Sequence, residues 1–557
     1  MKKILFQFSL FFLVAQSLLA QGLPRNYTEI KEKIPKLYQQ LILDGFTTPP
    51  EFNVRTAAEW EEMQGLLINW DSDHNELLGQ IVDYAQEECM VFIISTAQDS
   101  VENYLTGVNI PLNNIAFINA PTDAFWVRDY GPVSIYKNYT EELSFVDWRY
   151  YSGFYGRPHD DVIPGTVADY LGINVYHTTA PPYELRNYGG NFMSDGHGAG
   201  FSTYYVLSHD DEEGNPNLSE PQINMIMQAF NGINPYLKVE TLPINAIDHI
   251  DMYMKLLDEE TILVGEYASG VQGSQNNVQI QENIDYILNN FSTCFGRDYQ
   301  IIRIPMPPIE GTIQRTYTNS LILNKTVLVP IYDKDPAMDL NALSIYQNAM
   351  PGYNVIGINS ELVIPLSGAI HCITMGVGDE DPVFISHAKI REVANTGPYK
   401  INVFLNTQSG IQNSFLFWSN QPGGGYQSVQ LVPTGNDNYT AYLPPQAAGN
   451  NVYYYISASS NTGKTIKKPF TGGSPNYGYF KFQVPPTAAP PYNLSLNNET
   501  ILSGITVEFQ ASNSISAISN YTVKNGADVT FTAGNSITLN GPLNIELGAE
   551  FNAEVYP

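Results

Sequence analysis

Between residues 50 and 392 the apolar positions switch repeatedly between two periods. Leu66, Leu67 and Ile68 read as a buried strand. Leu77, Leu78, Ile81, Val82 and Ala85 fall on one helical stripe, and residues 91–94 read as the next strand. The helix-then-strand order returns at 221–230 and 237–242, at 278–291 and 301–304, and at 340–349 and 355–358. Residues 317–330 read as a hairpin turning at Asn324-Lys325. Repeated units of this kind predict an α/β or α+β domain over residues 49–395.

After residue 396 the helical period stops. Short alternating runs such as Asn451-Val452-Tyr453-Tyr454-Tyr455-Ile456 predict an immunoglobulin-like β-sandwich over 396–484. Pro485-Pro486-Thr487-Ala488-Ala489-Pro490-Pro491 then forms a stiff linker opening the segment 485–557. Within it Phe509, Asn513, Ser514 and Ile515 return as Phe531, Asn535, Ser536 and Ile537, 22 positions on (531 − 509). Gly526-Ala527 returns as Gly548-Ala549 at the same spacing. Two copies of a strand-turn unit predict a small β-solenoid that stacks on itself, with no reactive cluster.

The net charge of −29 speaks against a nucleic-acid partner, because phosphate binding needs a cationic face. It suits a cationic substrate, although acidity also serves solubility. Lys2 and Lys3, the apolar residues 4–19 and Ala20 read as a signal peptide over 1–20. No cysteine follows it to carry a lipid, so the expectation is an exported protein, secreted or held at the bacterial cell surface. Residues 21–48 read as a pro-segment or N-terminal arm. The three cysteines, Cys89, Cys294 and Cys372, leave at least one free thiol. Cys89 adjoins the apolar run from Met90 and reads as core; Cys294 has no chemical context.

Five segments share a chemical theme. Trp126-Val127-Arg128-Asp129-Tyr130-Gly131-Pro132 sets a carboxylate beside an aromatic ring before a turn, although Asp129 pairing with Arg128 or capping a turn is the plainer reading. Tyr188-Gly189-Gly190-Asn191, followed by Asp195-Gly196-His197-Gly198, offers close backbone approach to a ligand or an ordinary hairpin. His249-Ile250-Asp251, if on a strand, points an imidazole and a carboxylate to one side. A metal site is the rival reading, but no further His or Cys lies at ligand spacing. Tyr317-Thr318-Asn319-Ser320 opens a strand. Gly368-Ala369-Ile370-His371-Cys372 places a thiol, the best side-chain nucleophile once ionised, in an apolar stretch. A buried core cysteine is the alternative there.

Taken in order, W-x-R-D-x-G-P, G-G-N with D-G-x-G, H-x-D and G-x-I-H-C resemble the agmatine deiminase and bacterial peptidylarginine deiminase group, Porphyromonas-type enzymes above all. Val54-Arg55-Thr56-Ala57-Ala58-Glu59-Trp60 is similar to that group's entry segment. The resemblance implies a pentein fold, a five-bladed α/β propeller of ββαβ units about a central cleft. It implies that Cys372 attacks a guanidinium carbon and His249 moves protons. Asp129 and Asp251 grip the guanidinium nitrogens, Trp126 lines the site, and Asn319 stands where these enzymes carry a catalytic Asn. No step of that chemistry needs a metal or organic cofactor, and no calcium-loop pattern is present. The expected partners are arginine-containing peptides or proteins, with cell-surface attachment through the last module, which resembles those of exported Bacteroidetes proteins.

Two departures bear on the substrate. Intracellular agmatine deiminases carry E-G-G-N where this chain has Tyr188-Gly189-Gly190-Asn191. Porphyromonas-type enzymes carry R-P-R, which grips a C-terminal carboxylate, where this chain has Arg157-Pro158-His159. His159 is expected to be often uncharged at neutral pH, and Arg157 paired with Asp160 or Asp161 is the competing reading. Deimination of agmatine or free arginine stays open, as does a surface binding protein on the same scaffold. Retention of Cys372, His249, Asp129 and Asp251 argues against the last.

Overall fold

The computed structural model describes residues 45–150, 157–210 and 214–556. The expected signal peptide, the arm as far as residue 44 and the stretch 151–156 lie outside the described residues.

One arrangement recurs five times among the described residues of 54–378: two antiparallel strands, a helix, and a strand returning parallel to the second. In the first, Val133–Lys137 and Glu141–Trp148 are followed by helix Ile163–Leu171 and strand Asn174–Thr178. Next come Met193–Ser194 and Gly200–Thr203, helix Glu220–Asn231 and Tyr236–Val239. Then come Met254–Asp258 and Thr261–Tyr267, helix Asn276–Asn290 and Gln300–Met306. The fourth has Leu321–Leu323 and Thr326–Ile331, helix Pro336–Ala349 and Asn354–Asn359. The fifth joins the two ends of the region: Met375–Gly378 pairs with Met63–Asn69, and helix Asn75–Ala85 leads to Met90–Ile94.

Local chemistry accounts for these elements. Helix Asn75–Ala85 buries Leu77, Leu78, Ile81, Val82 and Ala85, the predicted stripe. Helix Glu220–Asn231 starts on a capping box between Ser219 and Gln222 and stops at Gly232. The sequence reading passed over helices Gln98–Gly107 and Ile163–Leu171. The first buries only Val101 and Leu105, which is too few positions to mark a stripe.

Two antiparallel sheets follow. One holds Phe384–Ser386, Tyr399–Asn406, Asn438–Leu443 and Val432–Gly435; the other is built on Ile411–Ser419 and Asn451–Ser460. Ile401, Val403 and Leu405 of the first share a core with Leu416, Val452, Tyr454 and Ile456 of the second. This unit begins before residue 396, because Val383 and Ile385 already point into its core. Lys464 ties it to Asp379 and Glu62 at 2.6 and 2.8 Å, and Lys468 ties it to Glu259.

Residues 493–555 form three sheets of three parallel strands. The 22-residue spacing marked two copies; the ladder has a third coil, which begins at Asn493 and pairs 21 residues on in its first strand and 22 on in its last. Its phenylalanine, Phe509, meets Phe531 edge to face, but Ala553 occupies that level in the last coil. None of the three cysteines is in a disulfide; Cys89 is buried in the core and Cys294 is exposed.

Candidate active site

The five chemical segments occupy equivalent places. Asp129, Asn191, Asp251, Asn319 and Cys372 each lie two to four positions ahead of the first strand of a unit. All five are buried or nearly so. His249-Ile250-Asp251 is not a strand as expected: His249 caps a 3-10 turn, Ile250–Met252. The turn still brings both side chains into the site, because Asn191 Oδ1 accepts from Ile250 N at 3.2 Å and from Thr203 N at 3.0 Å.

Asn319 organises the centre. Its Oδ1 accepts from the backbone N–H groups of Ala369 and His371, each at 3.1 Å. That orientation turns Nδ2 toward Asp251 Oδ2 at 2.8 Å and Cys372 Sγ at 3.2 Å. Cys372 Sγ is itself 3.7 Å from Asp251 Oδ2. Burial, then the Asp251 and Asp129 carboxylates, push the Cys372 thiol well above its ordinary value, against the Asn319 hydrogen bond. That balance favours the neutral thiol.

Asp129 does not pair with Arg128. Its Oδ1 accepts from Gly190 N at 3.2 Å and lies 3.7 Å from His249 Nδ1. Burial raises its carboxyl, His249 opposes this and Asp251 adds to it. The paired glycines serve close approach, though to the site's own side chains: a Cβ on Gly190 would sit 2.6 Å from His249 Nδ1 and 3.0 Å from Asp129 Oδ1. The His249 ring stacks on Tyr188, with centroids 5.6 Å apart. Trp126 is near the thiol, since a Cβ on Gly368 would lie 2.6 Å from the indole and 3.0 Å from Cys372 Sγ.

Arg157 and His159 are engaged by acids. Arg157 Nη1 is 3.6 Å from Asp160 Oδ2, and His159 Nδ1 is 2.7 Å from Asp123 Oδ1. The Asp123 hydrogen bond raises the His159 imidazole above its usual range, against burial, so the expectation of an ordinary titration is corrected.

Several residues escaped the sequence reading. Arg128 Nε donates to His371 O at 3.2 Å, and Glu59 accepts from both Lys255 and His371 at 2.7 Å. Glu59 was visible only as part of the entry segment. Among the described residues no group of three or more His, Cys, Asp or Glu side chains is placed to hold a metal ion.

A buried thiol, two carboxylates, an imidazole and two amides are brought together by five α/β units. The class of protein defined by this fold and site is the guanidino-group deiminases, hydrolases that act on C–N bonds in amidines. Residues 55–377 match the model of the Porphyromonas-type peptidyl-arginine deiminases, and the chain belongs to that family. A Vibrio parahaemolyticus protein named for agmatine deimination is 26% identical over 372 residues, covering 60% of this chain and 97% of its own. A solved chain from Porphyromonas gingivalis shares the fold with TM-score 0.52 at 21% identity, over 59% of this chain and 99% of its own. The agmatine deiminase of Enterococcus faecalis does so with TM-score 0.51 at 19% identity, over 59% and 96%.

Proposed function

We propose that this chain deiminates arginine held in peptides or proteins, releasing ammonia and leaving citrulline, through a thiouronium on Cys372. The observation that carries the reading is the meeting of the Cys372 thiol with two buried carboxylates, one of which, Asp251, keeps Oδ1 without a hydrogen-bond partner. A buried carboxylate oxygen left open demands a donor, and a guanidinium offers several in a planar fork. Asp129 and Asp251 orient that cation, whose charge offsets the carboxylates that hold the thiol neutral. The thiol proton then leaves by way of His249, and the thiolate attacks the guanidinium carbon to give a tetrahedral adduct. Protonation of a departing nitrogen by His249 breaks the C–N bond and frees ammonia. His249 next takes a proton from water, which attacks the thiouronium carbon; the C–S bond breaks, and the ureido product and Cys372 are released.

Tyr188, stacked on His249, supports a peptide substrate: agmatine carries a second cation, and the wall beside His249 is an aromatic ring instead of a carboxylate. We read the five units of residues 54–378 as the blades of a pentein propeller and the two packed sheets as an immunoglobulin-like module. The signal-peptide pattern at residues 1–20 supports export, with residues 485–557 serving retention at the cell surface. The test is ammonia and citrulline release from an arginine peptide, free arginine and agmatine. The peptide is expected to give the highest kcat/KM. Agmatine as the best substrate would establish the small-molecule reading, and a folded chain inert on all three would leave a binding protein.

A further inference from the structure

We propose that Glu59 and His371 are positioning residues for deimination: the His371 ring, clamped between the Glu59 and Asp251 carboxylates, pins one oxygen of Asp251 and leaves the other for the substrate. This rests on the roles given above to Asp251 and Cys372.

His371 Nδ1 lies 2.7 Å from Asp251 Oδ2, and Nε2 lies 2.7 Å from Glu59 Oε2. Ionised carboxylates only accept, so the ring satisfies both with a hydrogen on each nitrogen, as an imidazolium. Glu59 is braced in turn. Its Oε1 accepts from Lys255 Nζ and from Ile322 N, each at 2.7 Å, and Arg128 Nη2 is 3.6 Å from Oε2. Burial opposes ionisation of Glu59, but Lys255, His371 and Arg128 overcome it and hold its carboxyl well below the usual range. The result is a row of alternating charges running Lys255, Glu59, His371, Asp251. It borders a cavity of about 80 Å³ lined by Thr56, Glu59, Arg128, Lys255, Asp251 and His371.

At the near end of the row Asp251 Oδ2 is saturated by His371, Asn319 Nδ2 and the thiol, while the equally buried Oδ1 has no partner. A carboxylate anchored through one oxygen cannot turn about its terminal bond, so the open oxygen keeps a fixed heading. His371 also stands one residue from Cys372 and bonds Asp251, the carboxylate whose charge weighs most on the thiol. The charged and titratable groups about His371 are Asp251, Glu59, Cys372 and Asp129, with Lys255 beyond Glu59 and Arg128 on the His371 carbonyl.

The experiment compares Glu59→Gln, Glu59→Asp, His371→Gln and Cys372→Ala in the full chain, with melting temperatures to verify folding. The readouts are the pH profile of kcat/KM on an arginine peptide and the pH dependence of Cys372 alkylation, followed by mass spectrometry on its own peptide. Glu59→Gln removes the anion that holds the far side of the His371 ring, so the pH profile of kcat/KM is expected to depart from the wild-type one. His371→Gln keeps an N–H for Asp251 but no charge. Its kcat is expected to fall about 100-fold, with Cys372 alkylation moved to higher pH. Glu59→Asp keeps the charge and is expected to retain the wild-type pH limbs, which preserves the test if the glutamine variants melt early. Unshifted pH and alkylation profiles in the folded glutamine variants, or a shift in Glu59→Asp equal to that in Glu59→Gln, would overturn the clamp. Cys372→Ala separates the two layers: it is expected to be inactive, and turnover by it would overturn the underlying reading instead.

Discussion

The molecule contains two kinds of repeat, and only one is visible as a repeat in its sequence. The coils of residues 493–555 stack in parallel, and outside the first strand position i lies over position i+22, as Phe509 does over Phe531. Gly504, Gly526 and Gly548 all take positive φ (+83°, +77° and +91°) and link coil to coil through N–H to O bonds of 3.0 Å. Stacking favours like residues at equivalent levels, and the sequence repeats. The five α/β units share strand order and connection, yet their sequences do not repeat. Each delivers one side chain to one centre, two carboxylates, two amides and a thiol: Asp129, Asn191, Asp251, Asn319 and Cys372. Geometry is repeated there so that chemistry can differ.

Cys372→Ala breaks the comparison hardest. Turnover of an arginine peptide should vanish while the melting temperature stays near wild type, because a thiol replaced by a methyl-sized group leaves the surrounding turn intact. Ammonia release by the folded variant at the wild-type rate would remove Cys372 from the chemistry. Asp251→Asn and Asp129→Asn come next. Each leaves the guanidinium without a buried charge partner, a loss of about 2–5 kcal/mol or roughly 30-fold and upward in kcat/KM. Wild-type kcat/KM in both variants would show that the cation binds elsewhere.

A matched pair sharpens the contrast between the regions. Gly190→Ala puts a Cβ within 2.6 Å of His249 Nδ1 and 3.0 Å of Asp129 Oδ1, so His249 or the loop must move. Activity is expected to fall by about 10- to 100-fold through misplacement of reacting groups. Phe531→Ala hollows the coil stack, where Phe531 is fully buried against Phe509, Tyr521 and Phe551. It should destabilise that module by about 3–5 kcal/mol and leave kcat unchanged. Limited proteolysis and peptide turnover on the same samples check both. A loss of kcat in Phe531→Ala would show that the coils reach into catalysis.

Much of this was legible in the residues, for physical reasons that differ from place to place. The stripe Leu77, Leu78, Ile81, Val82 and Ala85 is readable because one face meets the core and the other meets water. The ordered motifs exposed Asp129, His249, Asp251, Asn319 and Cys372, because each sits in a short turn with distinctive neighbours. The coil that begins at Asn493 was hidden because its first strand pairs 21 residues on, Asn493 with Ser514 and Leu494 with Ile515, which breaks the 22-residue spacing. Glu59, Arg128 and Lys255 were not legible as a group. They are distant in sequence, on a turn, a short helix and a strand that meet only when the units close on one centre. His371 looked like a flank of the nucleophile, and its bond to Glu59 spans 312 residues.

The smallest expected effect lies at Arg157-Pro158-His159, where each cation already faces an acid. Asp160, buried and close to the Asp123 charge, has its carboxyl pushed up to about 7 despite hydrogen bonds from Asp123 N and Ala124 N. His159 has its imidazole raised, its largest cause being the Asp123 hydrogen bond. As pH falls through this range Asp160 takes up a proton and loosens its hold on Arg157, while His159 gains its charge earlier than a free imidazole would. Both steps add positive charge, so a preference for a C-terminal carboxylate should grow on acidification. Asp123 still competes for His159, and a solvent-screened ion pair contributes up to about 1 kcal/mol, so the change should be about two- to fivefold. The measurement is the ratio of kcat/KM for a peptide ending in arginine to that for its C-terminal amide, taken at about pH 8 and about pH 6, on either side of the ordinary imidazole value. A rising ratio assigns Arg157 and His159 to the substrate's end. A ratio of one at both pH values assigns them to bracing the loop that carries Asp123 and Trp126, and makes internal arginines the substrate.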